Sequence, residues 1–485
     1  MRKIAQRTVQ ETSYAQLDAG GIVSIHETSL AILESTGIKI ELQEALDLFR
    51  QAGARVEDNV VHITFGLLDK ALDSVPAKIV LAAHENKPPL IVEGTQSFTG
   101  TGGAALNVLD IETGESRLST LKDIYDIARL VDRLDNIDFY VRPVVAQDVP
   151  REHLDVNKYY AALAGTQKHV MASVYSEESA RDIIEMASLM CGGFDNLRDN
   201  PVISFITSCC LSPLCMDPET TAIMTELVRN NMPVVIGTAP MAGSTSPVTM
   251  AGTLAQMNAE LLAGIVYSQL VNPGAPVIYG AVPAIADMHT GGFSGGAVEY
   301  GMLNSAAAQM AQFYDIPVYN SAGVTDSRTP DIQAGYEKAF SLMQSVHSGA
   351  NLIHHAAGML DSLKTVAYEQ YVIDNDIICM ARRANRGIII DEENLARSVI
   401  QKVGHGGTYL TQKHTKKNMR QAFIFPRLAD KNTPRGEDDE PLDARERARR
   451  IARDLLAEEH PDHIPADIDK EIRKRFTILL EGRKP

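Results

Sequence analysis

PVVIGTAP (233–240), LAQMNAELLAGIVYSQLV (254–271) and PVIYGAVPA (276–284) decide the fold. Two short runs rich in β-branched residues bracket a helical stretch whose apolar residues recur at a spacing near 3.6. The runs are apolar throughout rather than alternating, the pattern of strands covered on both faces. Outward from this unit the same rhythm repeats. SFTGTGG (97–103), IDFYVRPVVAQ (137–147), HVMASVYS (169–176) and PVISFITSCC (201–210) lie before it, and IPVYNSAG (316–323) and NLIHHAAG (351–358) after it. Helical segments separate them, among them LSTLKDIYDIARLVDRL (118–134), for which Ser119 is the expected N-cap. Eight strand–helix units predict an α/β chain forming a (β/α)8 TIM barrel. A doubly wound open sheet is the runner-up, but no glycine fingerprint follows the first strand.

The barrel is expected over residues 96–363, with a hairpin possible after its first strand at GGAALNVLDIETGES. Residues 1–95 read as an N-terminal α+β extension, with helices around 14–35 and 41–52 and short strands near 60–63 and 79–82. Residues 364–485 read as a C-terminal helical region packing on the barrel, with a charged tail from about 431. That tail holds the turn-rich KNTPRGEDDEPLD (431–443) and the helix ARERARRIARDLLAEE (444–459), whose mixed charges suit a solvated face better than a docking face.

The 485 residues carry 46 Lys and Arg against 62 Asp and Glu, a net charge of −16. An acidic chain lacks the footprint for nucleic acid or an anionic membrane. No apolar run is long enough for a membrane span, and MRKIAQRTVQ has no apolar stretch behind it to make a secretory signal. Five unevenly spaced Cys fit reduced thiols and a cytoplasmic location. There is no Trp, so any aromatic grip on a ligand falls to 15 Tyr and 12 Phe.

In a barrel of this kind the chemistry belongs at the C-terminal ends of the strands. Those windows hold Phe98 and Gly102, Arg142, Tyr175, Cys209 and Cys210, Asp287 and His289, Asp326 to Glu337, and His354–His355. TGGFSGG (290–296) could hold an anion on backbone N–H groups, although a turn of close approach is the plainer reading. Cys209, Cys210 and Cys215 invite a zinc site, but their spacing suits buried, inert thiols. His354 and His355 are adjacent on a strand, so one should point into the barrel and the other toward the helices.

GVTDSRTPDIQAGYEKA (323–339), GANLIHHAAGMLDS (349–362), YEQYVIDNDIICM (368–380), DMHTGGFSGGAVEYG (287–301) and VGHGGTYLTQKHT (403–415) together resemble the trimethylamine methyltransferase superfamily. The resemblance spans nearly the whole chain. It implies a (β/α)8 enzyme that moves a methyl group from an amine to the cobalt of cobalamin (a corrinoid) carried by a cognate partner protein. All residues are standard, so the chain resembles the non-pyrrolysine branch, whose substrates are quaternary amines such as glycine betaine. HTGGF lacks an Arg expected before the TG, and GHGGTYL stands where GPGGHFL is common.

On that resemblance Phe98, Tyr175 and Phe205 would wall the ammonium, with Asp326 or Asp331 adding negative charge. Phe205, mid-strand, suits barrel filling better, and Asp331 could simply cap a helix. His354 or His355, with Gln333 and Arg328, would meet the substrate carboxylate. Asp287, His289, Gly291 and Gly292 would shape the loop beneath the corrin. No metal is expected on this chain, and a homo-oligomer is. The competing functions are a zinc-dependent thiol or alcohol methyltransferase barrel and a non-catalytic betaine-binding barrel.

Overall fold

A computed structural model describes residues 15–84, 87–430 and 442–481. The opening MRKIAQRTVQ and most of the turn-rich 431–443 segment lie outside them. Eight strands form one sheet: β1 (Phe98–Thr99), β2 (Phe139–Val141), β3 (His169–Ala172), β4 (Ile203–Thr207), β5 (Val234–Thr238), β6 (Val277–Ala281), β7 (Val318–Ser321) and β8 (Leu352–His354). Neighbours run parallel in the order β1-β8-β7-β6-β5-β4-β3-β2. A parallel bridge from Gly100 to Phe139 and a 2.7 Å bond from the Asp138 N–H to the Thr99 carbonyl join the two edges. The sheet is therefore a barrel, as the repeat predicts.

Period-two alternation divides the apolar residues into two sets. Phe139, Val141, Met171, Val235, Ile278, Tyr319 and Leu352 meet inside the barrel. Tyr140, Val170, Phe205, Ile236, Tyr279 and Ile353 face outward into the layer of helices. Those helices are α1 (Leu121–Asp132), α2 (Arg151–Gly165), α3 (Glu177–Met190), α4 (Pro218–Arg229), α5 (Met250–Val271), α6 (Val298–Tyr314), α7 (Ile332–His347) and α8 (Tyr368–Asn385). The eighth lies beyond residue 363, in the stretch expected to open the C-terminal region. The cap of α1 is Thr120, reciprocally bonded with Asp123, and not Ser119. The Ser119 hydroxyl instead reaches the Val145 carbonyl at 2.6 Å.

The extension closes one end of the barrel. Ile79–Leu81 and Leu90–Val92 form an antiparallel hairpin whose Ile79, Leu81, Leu90 and Val92 join the inner apolar set. Ala82 and His84 donate to the carbonyls of Pro201 and Gln167, just before β4 and β3. The N-terminal ends of the strands are thus plugged and only the C-terminal ends open. Beside that opening, the hairpin Asn107–Leu109 with Ser116–Leu118 forms where the sequence allowed one, extended by Met359–Leu360 and Thr365–Ala367. The charged helix Ala444–Ala457 is docked rather than free: Ala448 and Ala452 are buried, and Arg445 and Arg449 reach the buried Glu369 on α8. Among the described residues no helix is long and apolar enough to cross a membrane.

Candidate active site

A cavity of about 250 Å³ occupies the open end of the barrel, with walls from β2 through β8. Arg142 follows the last residue of β2 and lines it. Its side chain is buried, and its Nε and Nη1 have no partner among the described residues. A guanidinium is always charged, and leaving it buried and unpaired is costly unless a ligand supplies the counter-charge. Arg142 thus brings positive charge and two free donors to the cavity.

On the β8 side both His354 and His355 line the cavity. The alternation expected of a strand, one ring in and one out, fails here for a definite reason. β8 ends at His354, and His355 has φ of 61°, a left-handed conformation that swings its ring back to the same side. Gly102 makes this possible: a Cβ there would sit 2.6 Å from the His355 Cδ2 and backbone N.

Burial keeps both imidazoles neutral, with His354 pushed down to about 3 and His355 also lowered. The His354 Nδ1 lies 2.9 Å from the Asn320 carbonyl, so it carries the proton and Nε2 is an acceptor. The Tyr300 hydroxyl donates to Ser321 Oγ, and Ser321 in turn bonds His355 Nδ1 at 2.7 Å. Where Ser321 passes its own proton on to Nδ1, the proton of His355 sits on Nε2 and makes it a donor. Tyr319 stacks on His354 with centroids 4.3 Å apart and completes this wall.

Two buried carboxylates hold these walls without facing the cavity. Lys338 pairs with Asp374 at 3.2 Å, both fully buried. Lys338 donates to the carbonyls of Gly323 and Met359, while Asp374 accepts from the Gly358 N–H at 2.7 Å, so the pair clamps the turn after His355. On the other side Glu260 accepts from Thr238, Ser212, Gln256 and the Leu214 N–H, fixing the Thr238 hydroxyl on the cavity wall.

The other expected residues lie elsewhere. Phe98 pairs with Leu352, two residues below His354, and packs on the inner apolar set with the plugging hairpin. Phe205 faces outward, 5.7 Å from the Tyr159 ring of α2, so it neither walls the cavity nor fills the barrel. Tyr175 is 43% exposed, and the Lys158 ammonium already sits 4.9 Å from its ring. Asp326 accepts from Ser294 Oγ, the Gly295 N–H and Ser362 Oγ, which ties two rim loops together. Asp331 caps α7 through the Ala334 N–H. Gln333 donates to Glu337, and Arg328 is 85% exposed beside Asp361. Asp287 shapes the 287–292 rim turn by accepting from the His289 N–H; His289, Gly291 and Gly292 are exposed there.

Arg142 and Tyr319 are the residues the sequence left without a role. Arg142 stood in a strand-end window, but only its missing partner sets it apart. Tyr319 is the one Tyr or Phe on the cavity wall among the described residues. The cysteines offer little for zinc. Cys209 and Cys210 are buried with sulfurs 3.9 Å apart, and Cys210 also meets the Glu260 carbonyl. The contact with Cys209 and burial push the Cys210 thiol well up. Among the described residues no three His, Cys, Asp or Glu are arranged to hold a metal ion.

Comparison with known proteins places this cavity in context. The family model described as trimethylamine methyltransferase (MTTB) matches residues 2–478. A glycine betaine methyltransferase from Desulfitobacterium hafniense is 34% identical over 472 residues, covering 97% of each chain. A trimethylamine methyltransferase from the same species is 35% identical over 401 residues, covering 82% of this chain and 80% of its own. Among solved structures, a dihydropteroate synthase from Coxiella burnetii matches with 9% identity and a TM-score of 0.38, covering 63% of this chain and 98% of that one. At that score the structural likeness carries no argument.

Proposed function

The chain belongs to the trimethylamine methyltransferase family, and we propose that it demethylates a quaternary amine bearing a carboxylate, glycine betaine first among them, with a separate corrinoid protein as methyl acceptor. The observation that carries this reading is the buried Arg142 side chain on the cavity wall, whose Nε and Nη1 have no hydrogen-bond partner among the described residues. Two charges of like sign at close range in a buried site repel strongly. A bare methylammonium cation would meet Arg142 with no carboxylate on the cavity wall to balance it. A betaine brings its own: its carboxylate takes Arg142, with charge-assisted hydrogen bonds, while its trimethylammonium turns to the Tyr319 side of the aromatic wall. The His355 Nε2–H is a second donor for the carboxylate.

The chemistry asks little else of this chain. A quaternary ammonium needs no proton to become a leaving group, and the departing tertiary amine is neutral at nitrogen. The corrinoid, in its Co(I) state, supplies the nucleophile for in-line attack on the methyl carbon. This chain positions that carbon and excludes water from around it. Two neutral His suit the task, because neither adds positive charge beside the ammonium. Access from one side follows from the fold, plugged below and open above. The rim there exposes Val248, Met288 and Val298, apolar surface suited to a docking protein.

The test is methyl transfer to Co(I) cobalamin, followed by absorbance, with glycine betaine or trimethylamine as donor. The reading requires transfer from betaine and its loss in Arg142→Ala. Equal or faster transfer from trimethylamine would overturn the carboxylate argument. Tight betaine binding with no transfer would favour a binding barrel.

A further inference from the structure

Arg142 stands at the end of β2, and the strand four places round the barrel in either direction is β6, flanked by β5 and β7. The cavity wall across from Arg142 therefore holds Thr238 at the end of β5, Val282 just after β6 and Tyr319 on β7. Behind Thr238, on α5, sits Glu260, which is fully buried. Four donors saturate its carboxylate: the Thr238 and Ser212 hydroxyls at 2.6 and 2.7 Å, the Gln256 amide at 2.9 Å and the Leu214 N–H at 3.0 Å. All four are neutral. The buried carboxylates of Asp155, Asp374 and Glu369 each pair with Lys or Arg, whereas no Lys or Arg pairs with Glu260 among the described residues.

A buried charge without an opposite charge is costly, even when hydrogen bonds satisfy it. Dipoles steady a carboxylate but leave its net charge in place, and the low dielectric of the interior carries that charge's field into the cavity. Thr238 adds to it. Its proton is spent on Glu260, so toward a ligand the hydroxyl has only acceptor capacity left. Such a wall suits a quaternary ammonium, which has no N–H to donate and spreads its charge over its methyl groups. That head is held by potential rather than by a directed hydrogen bond, and a carboxylate one hydrogen bond behind the surface supplies it. The cavity thus has a positive end at β2 and a negative end at β5.

We propose that Glu260, acting through Thr238, is the counter-charge that seats the trimethylammonium head between β5 and β7 and so fixes the direction of the substrate, with its carboxylate toward Arg142. The proposal rests on the betaine reading and names what orients that substrate. Glu260 touches no reacting atom; it is a positioning residue. It also sets specificity, because a ligand of the same shape with an uncharged head gains nothing from it.

The test is calorimetric titration of the full chain with glycine betaine and with tert-butylacetate, which keeps the shape and the carboxylate but has carbon in place of nitrogen. Wild type should prefer the betaine, and Glu260→Gln should cut that preference about 10-fold, the effect of one charge several ångströms away in a protein interior. General damage to the pocket weakens both ligands alike, so an unchanged preference in the variant overturns the proposal even where both bind less well. Arg142→Ala tests the betaine reading separately: it removes what the two ligands share and should weaken both. A wild type that binds neither ligand overturns the betaine reading and this proposal together. Should Glu260→Gln not fold, Tyr319→Leu decides. With the ring gone, a remaining preference for the betaine supports Glu260, and its disappearance overturns the proposal.

Discussion

His354 and His355 are consecutive in the chain, yet their rings share one cavity wall with centroids 3.6 Å apart, because His355 takes φ of 61° where a strand would continue. His354 presents an acceptor at Nε2, and His355 is held through Nδ1 by Ser321. The turn that brings the rings together rests on Gly102 and on the buried Lys338–Asp374 pair.

A left-handed position tolerates Asn and penalises a β-branched residue. His355→Val should therefore be less stable than His355→Asn by roughly 1–2 kcal/mol. Urea denaturation of the two variants reads the difference, and equal midpoints would remove the backbone as the constraint.

Breaking a buried ion pair from one side costs about 3–5 kcal/mol, because the surviving charge has no partner. Lys338→Met and Asp374→Leu alone should each fall in that range. The double variant should lose much less than the sum, since no charge is then stranded. Additive losses in a double-mutant cycle would contradict the coupling.

Arg142→Ala should weaken glycine betaine binding about 10- to 100-fold, the worth of charge-assisted hydrogen bonds of roughly 1.5–3 kcal/mol. Its thermal midpoint should stay level or rise, because the substitution removes buried donors that the protein itself does not satisfy. Calorimetric titration and a thermal melt give both values. A large fall in midpoint with intact binding would make Arg142 structural.

Burial lowers His354 to about 3 and His169 to about 4, below the ordinary 6.5. Between those values the unfolded chain binds protons that the folded chain refuses, so stability falls as pH drops from about 6.5 toward 3–4. Above about 7.5 neither group contributes. Urea midpoints should be flat from pH 7.5 to 8.5 and decline by pH 5.5, less steeply in His169→Gln.

The barrel was legible because strands covered on both faces must be apolar throughout, and that mark recurs along the chain, with SFTGTGG (97–103) its faintest instance. The site was less so. Whether Phe205 faces in or out depends on register, and a shift of one residue reverses it. Tyr175 looked free, but Lys158 from the preceding helix occupies its face. Asp326 looked like a charge for a ligand, but two loops distant in sequence take up its oxygens. Arg142 lay in view throughout; its importance is an absence of partners, which no local pattern records.

The central claim is that this cavity delivers a methyl group from a betaine. Carbon-13-labelled methyl groups on glycine betaine, with the protein and Co(I) cobalamin, follow that transfer directly by NMR. The account predicts one labelled methyl on cobalt for each dimethylglycine released, at a rate sharply reduced in Arg142→Ala. Betaine bound at full occupancy with its three labelled methyl groups intact would contradict it.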